Sequence, residues 1–184
     1  MRMGRRGREN LINETVFFVT TTVVNFAKVF TEDTYADILI QNILHYQQRY
    51  KFKVLGYVIM PSHFHWIVEI DPLHGSISDI MRDIKKYSAW DIMAALEKNG
   101  RMNLLYLFRM QAQGYDDQKR KFWMKRFDDE VIRNAEMLRS KLEYIHNNPV
   151  KSHLVEQPEN YKYSSARNYL LGDQSVLNVH TDWF

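Results

Sequence analysis

The sequence contains no cysteine among its 184 residues. Disulfide frameworks, thiol nucleophiles, zinc fingers and iron–sulfur centres are therefore excluded. The sequence also lacks any apolar run that approaches the ~18 residues of a membrane helix. Its first residues are basic, but the apolar core of a signal peptide does not follow them. We therefore expect a soluble, cytoplasmic protein that has no membrane partner.

The composition that remains is that of one compact domain. Hydrophobic residues make up 45% and aromatic residues 14% of the chain, too many for a disordered segment. Residues 1–13 contain four arginines and predict a basic flexible arm. Residues 14–184 predict a single domain with an extension from about residue 150, without repeats or linkers. The net charge of +3 favours a nucleic-acid partner.

The order of predicted elements indicates the fold class. Strands are predicted over residues 15–24, 53–60, 63–70 and 121–132, and helices over 32–50, 76–96, 102–110, 135–147 and 164–171. The order strand, helix, strand, strand, helix, strand is that of a ferredoxin-like split βαβ fold. We expect an α+β domain, with a ferredoxin-like antiparallel sheet, helices on one face and a C-terminal helical extension. The other face of the sheet is then free to bind a ligand.

Two histidines stand two residues apart in the third predicted strand. Because side chains alternate along a strand, His63 and His65 point to the same face. Two imidazoles in this arrangement suit a divalent metal, and a polar pair that binds no metal is the other interpretation. Glu69 lies on that face too. It could bind the metal or hydrogen-bond an imidazole, and an ordinary solvated side chain is its simplest role.

A second pair stands at the end of the last long helix. Tyr144 and Asn148 are spaced i,i+4, so both can face the same way. A tyrosine can act as a covalent nucleophile, and an amide oxygen is a hard ligand that Mg²⁺ and Mn²⁺ accept. The alternative is that Tyr144 packs between the helix and the sheet. Pro149 predicts that the helix ends at Asn148.

Basic residues alternate with aromatic ones in several segments. Such mixtures suit a single nucleic-acid strand, because phosphates meet cations and bases stack on rings. A solvated strand face is the alternative interpretation. The candidate nucleic-acid-binding residues are Arg5, Arg6, Lys85, Lys86, Lys121, Trp123, Lys125 and Arg126.

Four segments resemble a known family. They are GYVIMPSHFHWIVEI at 56–70, IMRDIKKYSA at 80–89, FWMKRFDDEVIRN at 122–134 and YIHNNPVKSHLVEQPENYKYSSARNY at 144–169. In this order they are similar to the REP-associated tyrosine transposases, within the single-tyrosine His-hydrophobe-His (HUH) transposases. The resemblance covers roughly residues 14–170. Ser62 stands where the family often has asparagine, and His153 where it has glycine.

The resemblance implies a metal-dependent endonuclease and strand transferase that acts on single-stranded or hairpin DNA. It implies that Tyr144 is the nucleophile, which forms a 5′-phosphotyrosine intermediate. It further implies that His63, His65 and Asn148 bind Mg²⁺ or Mn²⁺. Relatives include monomers and dimers, so the resemblance leaves open whether this protein forms a homodimer. It implies no other protein partner.

Two other functions remain open from the residues. The first is a catalytically inactive or domesticated protein of the same fold that binds single-stranded DNA or RNA. The second is a small histidine-dependent nucleotide hydrolase. Those enzymes use a longer His-x-His-x-His run, and here Ile67 occupies the third place.

Overall fold

A computed structural model describes residues 15–113 and 119–182. The strands are β1 (Val16–Thr22), β2 (Lys53–Met60), β3 (His63–Glu69) and β4 (Asp128–Val131). The α-helices are α1 (Asp33–Tyr50), α2 (Ile77–Lys98), α3 (Met102–Met110), α4 (Ala135–Lys151) and α5 (Ala166–Leu171). Not one helix in the described ranges is long and apolar enough to cross a membrane. The arm predicted for residues 1–13, with Arg5 and Arg6, lies outside the described residues.

The strands form one antiparallel sheet in the order β2-β3-β1-β4. This order confirms the predicted ferredoxin-like fold. Residues along β1 alternate between buried and half-buried, which is the pattern of a strand whose two faces are covered to different extents. The sheet therefore has a densely packed first face and a more open second face.

The first face packs against α1 and α2 and carries the main core. Phe17, Val19 and Trp66 from the two central strands are buried there. Helix α2 begins with a capping box, in which Ser76 and Asp79 each accept a hydrogen bond from the other's backbone N–H. This core holds the sheet rigid beneath whatever binds on the second face.

The second face is partly covered by α4. Leu142 and Ile145 of α4 pack with Val58 and Ile67 of the sheet in a separate, smaller cluster. The face that we expected to be free is therefore shared between this helix and the two histidines. That arrangement brings the predicted tyrosine helix and the predicted metal-binding strand to the same surface.

The C-terminal extension covers the edge of the sheet at β2. The backbone N–H of Ile59 donates to the carbonyl of Tyr163, and the N–H of Ser165 donates to the carbonyl of Tyr57. Further along, the N–H of His180 donates to the carbonyl of Val54. An exposed strand edge invites pairing with another chain, so this segment satisfies groups that would otherwise be unpaired.

Two predicted boundaries are wrong. The fourth strand was predicted over residues 121–132, but ladder pairing is limited to β4, and Trp123 makes only an isolated bridge with Val23. Helix α4 also continues past Asn148 to Lys151. Pro149 only disfavours helical geometry in the preceding residue, and here it is buried while the N–H of Ser152 still donates to the carbonyl of Asn148.

Candidate active site

His63 and His65 lie side by side on the second face, as the period of two predicts. Their ring centroids are 4.7 Å apart, with an interplanar angle of 78°. His63 is the first residue of β3, directly after the turn at Pro61 and Ser62, and His65 is two residues further along the strand. The strand itself thus sets the spacing of the two imidazoles.

The ring of His65 is held by one hydrogen bond. Its Nδ1 atom lies 2.7 Å from Oγ1 of Thr20 on β1, and its buried Nε2 atom has no hydrogen-bond partner among the described residues. Burial, and then the proximity of His63, lowers the pKa of His65 to about 3, so the ring is neutral at pH 7. With the proton on Nδ1, donated to Thr20, the lone pair on Nε2 remains for a metal.

His63 has a related environment. Burial lowers its pKa below the ordinary value. Its Nδ1 atom lies 3.3 Å from Oγ of Ser62, a distance that makes at most a weak hydrogen bond. Both imidazoles are therefore kept in the neutral form that binds a divalent cation.

Tyr144 projects from α4 toward the histidine pair. Its ring centroid lies 5.4 Å from that of His65, in an edge-to-face contact. Phe18 of β1 contacts both rings, stacking on His65 at 5.7 Å and meeting Tyr144 at 6.0 Å. Because Tyr144 is 43% exposed, a substrate can reach it from solvent. The fold thus brings together residues 79 positions apart in the chain.

Lys141 adds a cation one helical turn before Tyr144. Its Nζ atom lies 4.7 Å from the centroid of the Phe18 ring and 2.6 Å from Oε2 of Glu130. The ion pair ties α4 to β4. Phe18 is consequently in contact with an imidazole, a phenol and an ammonium group at once.

Helix α4 lies close to the sheet because of Gly56. A Cβ atom at this position would lie 2.5 Å from Cδ2 of Leu142 and 3.0 Å from Cδ1 of Ile145. Cβ atoms essentially never approach other atoms so closely, so a larger residue would force the side chain of Leu142, or the helix that carries it, to shift. The height of Tyr144 above the sheet therefore depends on a glycine in β2.

A polar bridge fastens the same helix to the C-terminal segment. Nε2 of His146 lies 2.8 Å from Oγ of Ser165, which also accepts a hydrogen bond from the backbone N–H of Tyr57 at 2.9 Å. Burial lowers the pKa of His146 to about 4. His146 thus serves packing, in agreement with its position two residues away from Tyr144.

Asn148 is the candidate third metal ligand. Its Nδ2 atom donates to the carbonyl of Tyr144 at 3.1 Å, which leaves its amide oxygen as the donor atom for a cation. Glu69 is paired with Lys53 at 3.2 Å. No group of three or more His, Asp or Glu residues that could hold a metal occurs in residues 15–113 or 119–182. Two neutral imidazoles, one with an orphaned Nε2, have the donor chemistry of a divalent-cation site. Asn148 as a third ligand stays a prediction.

The side chains of Trp123 and Lys85 are turned inward and hydrogen-bond within the protein. Trp123 is 5% exposed and its Nε1 donates to Oγ of Ser88, so its ring packs inside the fold, and its role in nucleic-acid binding stays a prediction. Lys85 donates to the carbonyl of Met124 at 2.8 Å, and burial lowers its pKa to about 8. Both residues are drawn inward because the segment at 121–127 folds back against α2.

The other described candidates for nucleic-acid binding stay predictions. Lys86, Lys125 and Arg126 are exposed, and Lys121 is half-buried. Lys86 lies over the ring of Trp90 at 4.7 Å, so a cation and an aromatic ring are presented together on α2.

Sequence reasoning missed two residues that shape this site. Thr20 and Phe18 lie in a run of β-branched and aromatic residues that carries no chemical signal of its own. Only the register of β1 against β3, in which Thr20 is the direct partner of His65, reveals their role. Such pairings between distant strands cannot be read from local periodicity.

Comparisons with known proteins bear on the family and the fold of the chain. Residues 16–148 match the protein family described as "Transposase IS200 like". A protein of Haemophilus influenzae named "Putative REP-associated tyrosine transposase" is 26% identical over 118 residues, which span 64% of this chain and 61% of that relative's length. A solved structure described as a REP-associated tyrosine transposase bound to a REP hairpin is similar with a TM-score of 0.65 and 22% identity. That similarity covers 100% of this chain and 95% of the other.

Proposed function

Because this chain belongs to the IS200-like transposase family, we propose that it is a metal-dependent endonuclease and strand transferase for single-stranded or hairpin DNA. The observation that carries the proposal is the 5.4 Å contact between the rings of Tyr144 and His65. It supports a nucleophile and a metal-binding pair that act on one phosphate. Both residues lie in one chain here, so a single chain can complete this site without a second copy.

The metal-binding residues in this proposal are His63, His65 and Asn148. A bound Mg²⁺ or Mn²⁺ would supply polarisation of the phosphoryl oxygens and would offset the charge that develops in the transition state. The protein contributes neutral imidazoles, an orphaned Nε2 on His65 and an amide oxygen on Asn148. Thr20 keeps the proton of His65 on the nitrogen that does not face the ion.

Tyr144 performs the nucleophilic step. Its phenolic oxygen forms a bond to phosphorus while the bond from phosphorus to the 3′ oxygen breaks. The phenol releases its proton to solvent and the departing 3′ oxygen takes one up. The products are a 5′-phosphotyrosine and a free 3′-hydroxyl, with the strand still esterified at one end. A 3′-hydroxyl of another strand can then reverse the step and join new ends.

Phe18 and Lys141 prepare the nucleophile. Phe18 meets the edge of the Tyr144 ring and restricts its orientation, which favours in-line approach to phosphorus. Lys141, held against Phe18 and Glu130, offers a positive charge near the incoming phosphodiester. Neither residue is required to transfer a proton.

The DNA partner follows from the reaction and from charge. The solved relative is described as bound to a REP hairpin, and we extend this kind of partner to the present chain. The exposed Lys125 and Arg126 support contact with a phosphate backbone. A DNA-processing enzyme works where the DNA is, which in a cell without a nucleus is the cytoplasm.

The test is a denaturing gel with a labelled DNA hairpin that carries single-stranded flanks. The wild-type protein should form a covalent adduct in Mg²⁺ or Mn²⁺, and Tyr144→Phe should form none while it binds the hairpin as before. Tyr106→Phe is the matched control, because Tyr106 is 64% exposed on α3, and it should react normally. Adduct formed by Tyr144→Phe at the wild-type rate would refute the proposal. Hairpin binding by the wild type without any adduct would favour an inactive DNA-binding protein.

A further inference from the structure

An exposed aromatic side chain stands on an unusual backbone near the candidate active site. Phe26 is 65% exposed, and it follows β1 by four residues. Asn25 and Phe26 have φ values of 55° and 51°, so two consecutive residues other than glycine adopt the left-handed region. A side chain with a Cβ atom reaches this region only at a cost in free energy, least for asparagine and greater for phenylalanine.

The loop that carries Phe26 is anchored to the turn before His63. At its start, the backbone N–H of Val23 donates to the carbonyl of Ser62 at 2.9 Å. At its end, the N–H of Phe30 donates to the carbonyl of Pro61 at 2.9 Å. The loop thus returns to the same two-residue turn from which the metal-binding strand begins. Phe26 is presented at the end of the sheet where the histidines lie.

Exposure alone would carry no meaning, because single exposed hydrophobic side chains are common. Leu73 is 92% exposed, but it has no positive φ angle and lies beyond the opposite end of β3. Phe26 differs because its exposed ring stands on a backbone conformation that costs free energy. Residues kept in sparsely populated conformations concentrate at ligand-binding sites.

The neighbours of Phe26 suit one class of ligand. Asn25 and Lys28 are also exposed, so the loop offers an amide, an aromatic ring and a cation together. An unpaired nucleotide has an aromatic face for stacking, polar edges for an amide and a phosphate for a cation. A strand whose phosphate reaches His63 and His65 must place its neighbouring nucleotides close to this turn.

We propose that Phe26 stacks on an unpaired base adjacent to the phosphate that Tyr144 attacks. The proposal rests on the proposed function, and it assigns to this loop the recognition of the single-stranded flank. Stacking requires only the flat face of a base, so it selects unpaired over paired nucleotides without reading sequence. A paired base presents its face to its neighbours in the duplex and is not accessible.

The experiment is a double-mutant cycle in which the side chain at position 26 and the flanking bases of the DNA are removed separately and together. The affinities of wild type, Phe26→Ala, Phe26→Trp and Leu73→Ala are measured for a hairpin with thymidine flanks and for the same hairpin with abasic flanks. Wild type, Phe26→Trp and Leu73→Ala should prefer the thymidine flanks by about tenfold. Phe26→Ala should lose that preference, with equal affinity for the two DNAs. A preference that is unchanged in Phe26→Ala would overturn the inference.

Thermal unfolding separates recognition from a structural role. Phe26→Gly removes the strain and should melt at the wild-type temperature or above, although it loses the preference for thymidine flanks. A clearly lower melting temperature would mean that the ring supports the fold, which contradicts the inference. Failure of the wild type to bind either hairpin would instead refute the proposed function. If the wild type forms the adduct normally and Phe26→Ala still prefers thymidine flanks as the wild type does, only the stacking role is refuted.

Discussion

His65 and Thr20 are direct partners in the register of β3 against β1, and the Nδ1 atom of the histidine lies 2.7 Å from the threonine Oγ1. This hydrogen bond occupies one ring nitrogen and leaves the buried Nε2 without a partner among the described residues. A slip of one residue in β1 would turn Thr20 to the opposite face. Strand register therefore determines which ring nitrogen of His65 is left without a hydrogen-bond partner in the described residues.

Replacement of the Thr20 hydroxyl should weaken metal binding. Thr20→Val keeps the shape of the side chain but removes the hydroxyl that hydrogen-bonds Nδ1 of His65, so we expect a loss of about 10- to 100-fold in Mn²⁺ affinity. Thr20→Ser should restore most of it. The measurement is calorimetric titration of the metal-free protein with Mn²⁺.

Thr21→Val is the control for that experiment. Thr21 adjoins Thr20 but faces the other side of the sheet, and its buried Oγ1 has no hydrogen-bond partner among the described residues. Its replacement should leave Mn²⁺ affinity unchanged and should not destabilise the protein. Equal Mn²⁺ affinities for Thr20→Val and the wild type would contradict the role assigned to Thr20.

His63→Ala and His65→Ala should each abolish metal-dependent cleavage.

The fold could be predicted from the sequence because its signals are local. The period of two that aligns His63 with His65, and the apolar spacing of α1 and α2, each lie within one element. The fourth strand was predicted too long because the segment at 121–127 is as apolar and aromatic as a strand. Its Trp123 packs against α2 and makes only an isolated bridge with Val23, directly after β1. That packing depends on tertiary contacts.

The site was predictable only in part, for a similar reason. His63, His65, Tyr144 and Asn148 could be nominated from spacing and resemblance. The groups that position them could not, since Thr20 acts through strand pairing and Gly56 through its close approach to Leu142, 86 residues later in the chain. Periodicity predicts which face of an element a side chain lies on, but not which residues from other elements contact it there.

Gly56→Ala should displace the helix that carries the nucleophile. The new Cβ would meet Cδ2 of Leu142 at 2.5 Å, and such overpacking costs about 1–3 kcal/mol in the free energy of unfolding. We expect cleavage to fall more than hairpin binding, because Tyr144 moves relative to His65. Urea unfolding and adduct formation, followed side by side, are the measurements.

A second substitution tests whether the contact with Leu142 is the cause. Leu142→Ala removes the clashing atom, so the double variant should lose less stability than the sum of the two single variants. Strict additivity would mean that Gly56 is required for another reason. Cleavage by Gly56→Ala at the wild-type rate would show that the position of α4 tolerates the change.

Acid should destabilise the fold through His146. Burial lowers the pKa of His146 from 6.5 to about 4. Between these pH values His146 is therefore protonated in the unfolded chain but neutral in the folded protein. The contribution is therefore fully present above pH 6.5 and is lost as the pH falls toward 4, by at most about 1.4 kcal/mol per pH unit. Urea unfolding between these limits, in the presence of a chelator, measures the slope.

His146→Gln supplies the comparison for the pH experiment. Glutamine does not titrate in this range and can still reach Ser165, so stability should depend less steeply on pH in the variant. His65 titrates in the same direction but is present in both proteins, and the difference in slope therefore isolates His146. Parallel profiles for the two proteins would exclude His146 as a source of acid sensitivity.

The affinity for DNA should depend on salt through the exposed cations near residue 125. Each phosphate neutralised on a single strand contributes about −0.7 to the slope of log affinity against log salt. Lys125→Gln with Arg126→Gln should therefore make the slope shallower by up to about 1.4 if both residues contact phosphates. Titrations of a fluorescent hairpin with single-stranded flanks at several salt concentrations measure the slope.

A charge-matched pair decides whether position or net charge is responsible. Lys51→Gln with Lys98→Gln removes the same two charges from exposed sites at the C-terminal ends of α1 and α2, and it should leave the slope nearly unchanged. A blunt duplex of equal length should bind more weakly than the flanked hairpin in every variant, because its bases are already stacked and its phosphates cannot approach Tyr144 in line. Equal slopes for the two double variants, or equal affinity for duplex and hairpin, would mean that the basic residues act only through the overall field of the protein. The single-stranded flank would then have no binding groove at residues 125–126.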